Sequence, residues 1–94
     1  MFEIVITRTA KKSAKKLPGT VREEIVKQSL GLKANPYLGE RLSGPLHFLY
    51  SFHLTVEGIH YRFAYTIDAG KKQVVVHLMG PREGFYQRLK RLLG

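Results

Sequence analysis

His53, Arg62, Arg82 and Tyr86 are the side chains of this 94-residue chain whose types, taken together, suit one reaction. Attack of a ribose 2′-hydroxyl on the adjacent phosphate needs a base for the hydroxyl. It also needs positive charge for the phosphorane and a proton for the departing 5′-oxygen. Histidine serves as acid or base near neutrality. Arginine matches phosphate oxygens through its fork of donors, and tyrosine can stack on a base or orient the nucleophile. Each residue also has a mundane reading. Arg62 can pair with Asp68 or cover the core edge with its stem, and Tyr86 can be plain core beside Phe85. His53 can be a neutral surface-strand imidazole and Arg82 an exposed helix-start residue. Two placements favour function: an arginine at a helix start opposes the helix dipole, and Arg62 stands where a surface strand more often takes Thr or Lys.

Other chemistries lack their residues. The absence of cysteine removes thiol nucleophiles, disulfides and Cys-based zinc sites. No G-x-S-x-G, H-E-x-x-H or Gly-rich phosphate loop occurs, and no close carboxylate pair. His47, His53, His60 and His77 have no helical metal spacing. His47 and His53 share a strand face, but six residues of strand span ~20 Å. Neither a metal nor a cofactor is expected. The length suits one domain, 1–94, and falls far short of a (β/α)₈ barrel at ~250 residues.

The elements that must position these side chains can be read from the pattern. Phe2–Thr7 alternates and is β-branched, predicting a strand. Thr9–Leu17 carries Ala10, Ala14 and Leu17 at helical spacing, and Pro18-Gly19 ends it. Thr20 and Glu23 read as a capping box opening a second helix, with Val21, Ile25 and Leu32 inward and Asn35-Pro36 as its stop. Residues 37–45 read as loop. Leu46–Val56 has an unbroken apolar even face, and His60–Ile67 an apolar odd face. Glu57-Gly58 between them suits a two-residue hairpin turn. That turn sets Leu54 opposite Tyr61, Phe52 opposite Phe63, and His53 opposite Arg62. Gln73–Met79 is a strand covered on both faces, and Arg82–Leu93 a helix with Phe85, Leu89 and Leu92 as its core stripe. The order β-α-α-β-β-β-α predicts an α+β domain, an antiparallel sheet with helices mainly on one face.

A net charge of +9 points to a polyanionic partner. Residues 8–19 carry +5 of it and 82–94 carry +3. Lys11–Lys15 and Lys12–Lys16 are like-charge pairs four apart, each weakening an isolated helix by a few tenths of a kcal/mol. Such a cluster is either a solvated face or a phosphate grip. No apolar run reaches the ~20 residues that span a bilayer, and MFEIVITRT lacks the layout of a signal peptide. A cytoplasmic protein with no membrane role is expected.

Four segments carry a resemblance. They are ITRTAKKSAKKLPGTVREEI, NPYLGERLSG, HYRFAY and GPREGFYQRLKRL, the last two together being the most specific. Over essentially its whole length the chain resembles the RelE/ParE superfamily of toxin–antitoxin toxins, RelE type. The resemblance implies a ribosome-dependent endoribonuclease that cuts mRNA, neutralised by a cognate antitoxin. By position, Arg62 resembles the strand arginine that stabilises the transition-state phosphate. Arg82 resembles the arginine after the last strand, assigned to phosphate stabilisation or leaving-group protonation. Tyr86 resembles the helix tyrosine that orients or stacks on substrate. Where RelE has two strand lysines this chain has Ser51 and His53, so His53 is the candidate base. Arg8, Lys11, Lys12, Lys15 and Lys16 would contact ribosomal RNA. The alternatives are a ParE-type gyrase poison, which lacks the nuclease residues, and a basic nucleic-acid-binding module in which the same cations only hold phosphates.

Overall fold

The opening β-branched run forms β1, Glu3–Ile6, in a computed structural model of the chain that describes residues 1–93. Thr7 then caps α1, Arg8–Lys15, its Oγ1 accepting from the Ala10 amide at 3.1 Å. Such a cap is worth ~1 kcal/mol. That offsets the strain of the lysine pairs, and buried Ala10 anchors the other side of the helix.

The second helix, α2, spans Gly19–Ser29, and here the expected capping box does not form. Pro18 is the N-cap, with no side-chain cap bond, and Thr20 lies inside the helix. The Pro18 carbonyl accepts from the amides of Val21 and Arg22 at 3.0 and 3.1 Å. Arg22 Nη1 donates to the Leu17 carbonyl at 2.7 Å, closing the α1–α2 corner. Proline at the boundary pre-sets the entry dihedral, so the helix starts earlier than the Thr-x-x-Glu pattern suggests. Leu32 is buried from a separate single turn, α3, Gly31–Ala34.

The stretch expected as loop contains a short strand, β2, Glu40–Arg41. Conversely, the next strand starts later than its pattern. Gly44–Leu46 is a 3₁₀ turn with Gly44 at φ +67°, and β3 runs Tyr50–Val56. The even apolar face therefore ends at Tyr50, leaving Phe48 exposed and Leu49 buried. β4, Ile59–Asp68, and β5, Gln73–Pro81, complete the sheet.

The strand order is β1-β5-β4-β3-β2. β1 pairs with β5 in parallel and the other neighbours are antiparallel, so the sheet is mixed where an antiparallel one was expected. The helices carry the chain from β1 to β2 at the far edge of the sheet, and the antiparallel run β2 to β5 then returns it so that β5 lies parallel to β1. Both faces are covered. Ala10, Leu17, Val21 and Ile25 pack on Leu54, Phe63, Tyr65 and Val76 on one side. On the other, Phe85 and Leu89 of α4, Phe85–Leu93, pack on Leu49, Ala64 and Leu78. Leu92, expected in that stripe, is 39% exposed, and Leu93 contributes to the packing in its place. The α+β class and the order of the major elements are as predicted. The split of helices between the two faces could not be read from the stripe of any one helix.

Candidate active site

The β3–β4 hairpin turns at Glu57 and Gly58, both at positive φ (+51° and +80°). A two-residue turn with both centres positive matches the twist of its strands. It sets the register predicted above: Leu54 opposite Tyr61, Phe52 opposite Phe63, and His53 opposite Arg62. β5 extends each rung, with Gly80 opposite Arg62. The Arg82 amide donates to the His60 carbonyl at 3.0 Å, carrying the pairing one residue past the strand. Two rungs therefore share one face of the sheet. One is His53–Arg62–Gly80; the other is Thr55–His60–Arg82.

This placement corrects one expectation. Arg82 is not the first residue of the last helix, which begins at Phe85 after a turn with Gly84 at φ +69°. The opposition to a helix dipole therefore has no force for Arg82. Its position comes from strand pairing to His60.

Tyr86 reaches the site from α4. The Arg62 guanidinium donates to the Tyr86 hydroxyl, and its Cζ lies 5.0 Å from the ring centroid. Asp68 does not hold Arg62: its carboxylate accepts from the Lys71 amide at 3.0 Å. Tyr86 is partly buried, edge-on to Phe85 with centroids 5.8 Å apart. Core contact and a hydroxyl aimed at Arg62 coexist in this one side chain.

His53, Arg62 and Arg82 line a polar recess of about 300 Å³ together with Thr55, His60 and Gln28. The His53 pKa lies below the ordinary 6.5, first through partial desolvation, then through the charge of Arg62 and, more weakly, of Arg82. Glu40, carried on β2, opposes that shift. Burial and the two arginines thus favour the neutral imidazole over the imidazolium. Ser51, where the resemblance implied a lysine in RelE, is 1% exposed, and its hydroxyl has no hydrogen-bond partner among the described residues. It lies outside the recess and cannot take a lysine's part.

The remaining histidines differ in use. His47 Nδ1 lies 3.0 Å from the Gly44 carbonyl, and His77 Nε2 lies 2.9 Å from Thr66 Oγ1. His60 Nδ1 bonds Thr55 Oγ1 at 3.1 Å, inside the recess. Sequence reasoning passed over His60 and Thr55. The hairpin register that paired His53 with Arg62 was the signal available for them. Among the described residues no three His, Asp or Glu side chains gather as metal ligands.

The five basic residues of the first helix segment are all exposed and divide into groups. Lys12 and Lys16 line a groove of about 640 Å³ with Gly80, Pro81 and Arg88, which shares Tyr61 with the recess. Lys11 and Lys15, with Arg22, rim a narrower apolar cleft between the helices and the sheet. Arg8 lines neither.

The fold and site define a small basic α+β protein with two arginines, an imidazole and a tyrosine converging on one sheet face. The sequence model of the ParE-like toxins of type II bacterial toxin–antitoxin systems matches residues 4–90. The chain belongs to that family. No curated protein matches it. Among solved structures, it is similar to a chain of the RelBE2 toxin–antitoxin complex of Mycobacterium tuberculosis. The identity is 26% and the TM-score 0.73, over 86% of this chain and 98% of that one. Similarity to a chain of the intact Escherichia coli RelBE complex is comparable, at 25% identity and TM-score 0.73 over 88% and 99%. A mutant of the E. coli toxin RelE in the free state superposes with TM-score 0.76 over 98% of both chains at 24% identity, which speaks to the fold.

Proposed function

We propose that this chain is the toxin of a RelBE-type pair and an endoribonuclease that cuts mRNA on the ribosome, arresting translation in the cytoplasm. The observation that carries the reading is the rung His53–Arg62, with Tyr86 bonded to Arg62 and Arg82 entering from the end of β5. His53, in its neutral form, takes the proton of the 2′-hydroxyl. Arg62 and Arg82 offer forked donors to the phosphate oxygens as negative charge builds on them. Tyr86 holds the Arg62 fork through its hydroxyl. A pure phosphate-binding module has no need of a depressed imidazole opposite an arginine, and a gyrase poison has no need of this set at all. The partner that restrains the toxin is a cognate antitoxin, as expected for a basic chain of this family.

The test is induction of the chain in growing cells, followed by mapping of new 5′ ends on mRNA by primer extension. Ribosome-dependent cuts are expected. Arg82→Ala should reduce cutting by roughly 10²–10³-fold, the usual effect of removing one transition-state donor, while ribosome binding persists. Gyrase–DNA adducts without new mRNA ends would falsify the nuclease reading. Binding that fades gradually with each cation removed, with no cutting by the unsubstituted chain, would leave only the binding module.

A further inference from the structure

Arg88 takes no part in the proposed cleavage. It stands in the first turn of α4, where a positive charge opposes the helix dipole, so helix stability does not account for it. The side chain folds back across the end of β5. Its Nη2 donates to the Pro81 carbonyl at 3.2 Å, and Cζ lies 6.0 Å from the centroid of the buried Phe85 ring. A Cβ built on Gly80 would stand 2.7 Å from the same Nη2. Gly80 is the cross-strand partner of Arg62, and such partners hold their Cβ positions ~4.5–5.5 Å apart on one face of the sheet. The Arg88 guanidinium is therefore one strand over from Arg62, on the same face, and glycine leaves it room to lie there. Among the described residues the Pro81 carbonyl is its one hydrogen-bond acceptor, so most of its N–H donors are free for a ligand.

Arg88 fronts the groove of about 640 Å³, with Lys12 and Lys16 coming from the α1 side. Groove and recess are joined. A third hollow at the tip of the β3–β4 hairpin shares Ile59 and Pro81 with the groove, and His60 and Arg82 with the recess. A strand with one phosphate at Arg62 and Arg82 thus has an open course past the hairpin tip to Arg88. On the groove floor Leu17, Leu78 and Met79 are buried. Cations above an apolar floor suit a nucleotide, which carries a charged phosphate beside an apolar base face.

We propose that this groove is a nucleotide subsite of the nuclease site, in which Arg88 holds a phosphate of the substrate strand flanking the cut. Lys12 and Lys16 add charge around it. This rests on the nuclease reading above. A guanidinium already held by a carbonyl and a ring loses little freedom on binding, and its fork fits two phosphate oxygens at once. The strand is the message rather than ribosomal RNA, because the groove opens into the recess that takes the scissile phosphate. Such a contact is made equally in ground and transition states, so it lowers KM and leaves the saturated rate alone.

The experiment uses a set of mRNAs on ribosomes, in each of which one linkage flanking the cut is an uncharged methylphosphonate. With the unsubstituted chain, replacement at one linkage should raise KM by about tenfold, the worth of a charge-assisted hydrogen bond, with kcat retained. Arg88→Ala should raise KM for the ordinary mRNA by a similar factor, and replacing that linkage should then cost nothing further. Arg88→Lys should regain part of both the affinity and the sensitivity. A merely loosened α4 would lower kcat, because Tyr86 is on the same helix, and would leave the methylphosphonate penalty in place. That outcome overturns the subsite, as does an Arg88→Ala chain with unchanged KM. An equal rise in KM for every message, with the penalty at that linkage undiminished, would assign Arg88 to ribosomal RNA and overturn it too. If the unsubstituted chain cuts no message at all, the nuclease reading itself fails and the subsite falls with it.

Discussion

At the scale of single residues, Arg62 has two partners: it donates to the Tyr86 hydroxyl and lends its charge to the neighbouring His53. The second effect has a direct consequence for the pH profile. In the proposed mechanism His53 acts as base only when unprotonated, so cutting should fall as pH drops through its pKa, which lies below 6.5. Glu40 raises that pKa and lies outside the catalytic set. Replacing it by glutamine removes a negative charge that favours the imidazolium, so the pKa falls further. Glu40→Gln should therefore move the acid limb of the pH–rate profile to lower pH with the plateau rate retained; a limb that moves upward contradicts the assignment of His53 as base. The His53–Arg62 pairing was legible in the sequence, because a two-residue turn leaves one register. The Arg62–Tyr86 bond was not, since it joins residues from a strand and a helix whose docking no local pattern specifies. Glu40 was equally hidden, because its strand of two residues is too short to show alternation.

At the scale of elements, the loop that leads into β2 is tied down by Tyr65, whose side chain is fully buried, while β2 itself pairs with β3. The Tyr65 hydroxyl donates to the Pro36 carbonyl at 2.8 Å and accepts from the Gly39 amide at 2.9 Å. Gly39 is required there, since a Cβ would approach that hydroxyl to 2.5 Å. Tyr65→Phe leaves a carbonyl and an amide without partners just before β2. A loss of about 1–3 kcal/mol is expected, read as a lower midpoint in urea unfolding with the slope unchanged. The same variant should displace Glu40 and shift the acid limb in the direction of Glu40→Gln. A fully stable Tyr65→Phe protein would show that the loop is held by other interactions. The capping box at Thr20 illustrates the opposite failure of pattern. Local chemistry favoured it, but Pro18 and the Arg22–Leu17 bond had already set where the helix begins.

At the scale of the whole molecule, the charge of +9 is spread unevenly over the surface. Lys12, Lys16 and Arg88 border one groove, which shares Tyr61 with the recess, so on the proposed function they are the cations offered to an RNA bound there. The lysines need no fixed partner for this, because release of counterions supplies the affinity. Replacing Lys12 and Lys16 by alanine should weaken binding to ribosomes and flatten its salt dependence. The log–log slope should fall by ~0.7–1 for each phosphate that is no longer neutralised. The rate of cutting at saturation should be unchanged. Unaltered salt dependence would reduce these lysines to a solvated face. Lys11 and Lys15, turned toward the cleft rimmed with Arg22, should matter less to RNA.

What the sequence determined by itself was whatever depends on short-range geometry or composition: the hairpin register, the α+β class, and the exclusion of thiol and disulfide chemistry. Alternation and a two-residue turn act over neighbouring residues, and composition acts over none. The tertiary structure decided the rest. It paired β1 with β5 in parallel, two strands from opposite ends of the chain, and put α4 on the face opposite α1 and α2. It also drew Arg82 onto the His60 rung rather than into a helix. Each of these is a competition between surfaces for the same apolar area, settled only when all the elements are present. The recess that brings His53, His60, Arg62 and Arg82 together is a product of that competition.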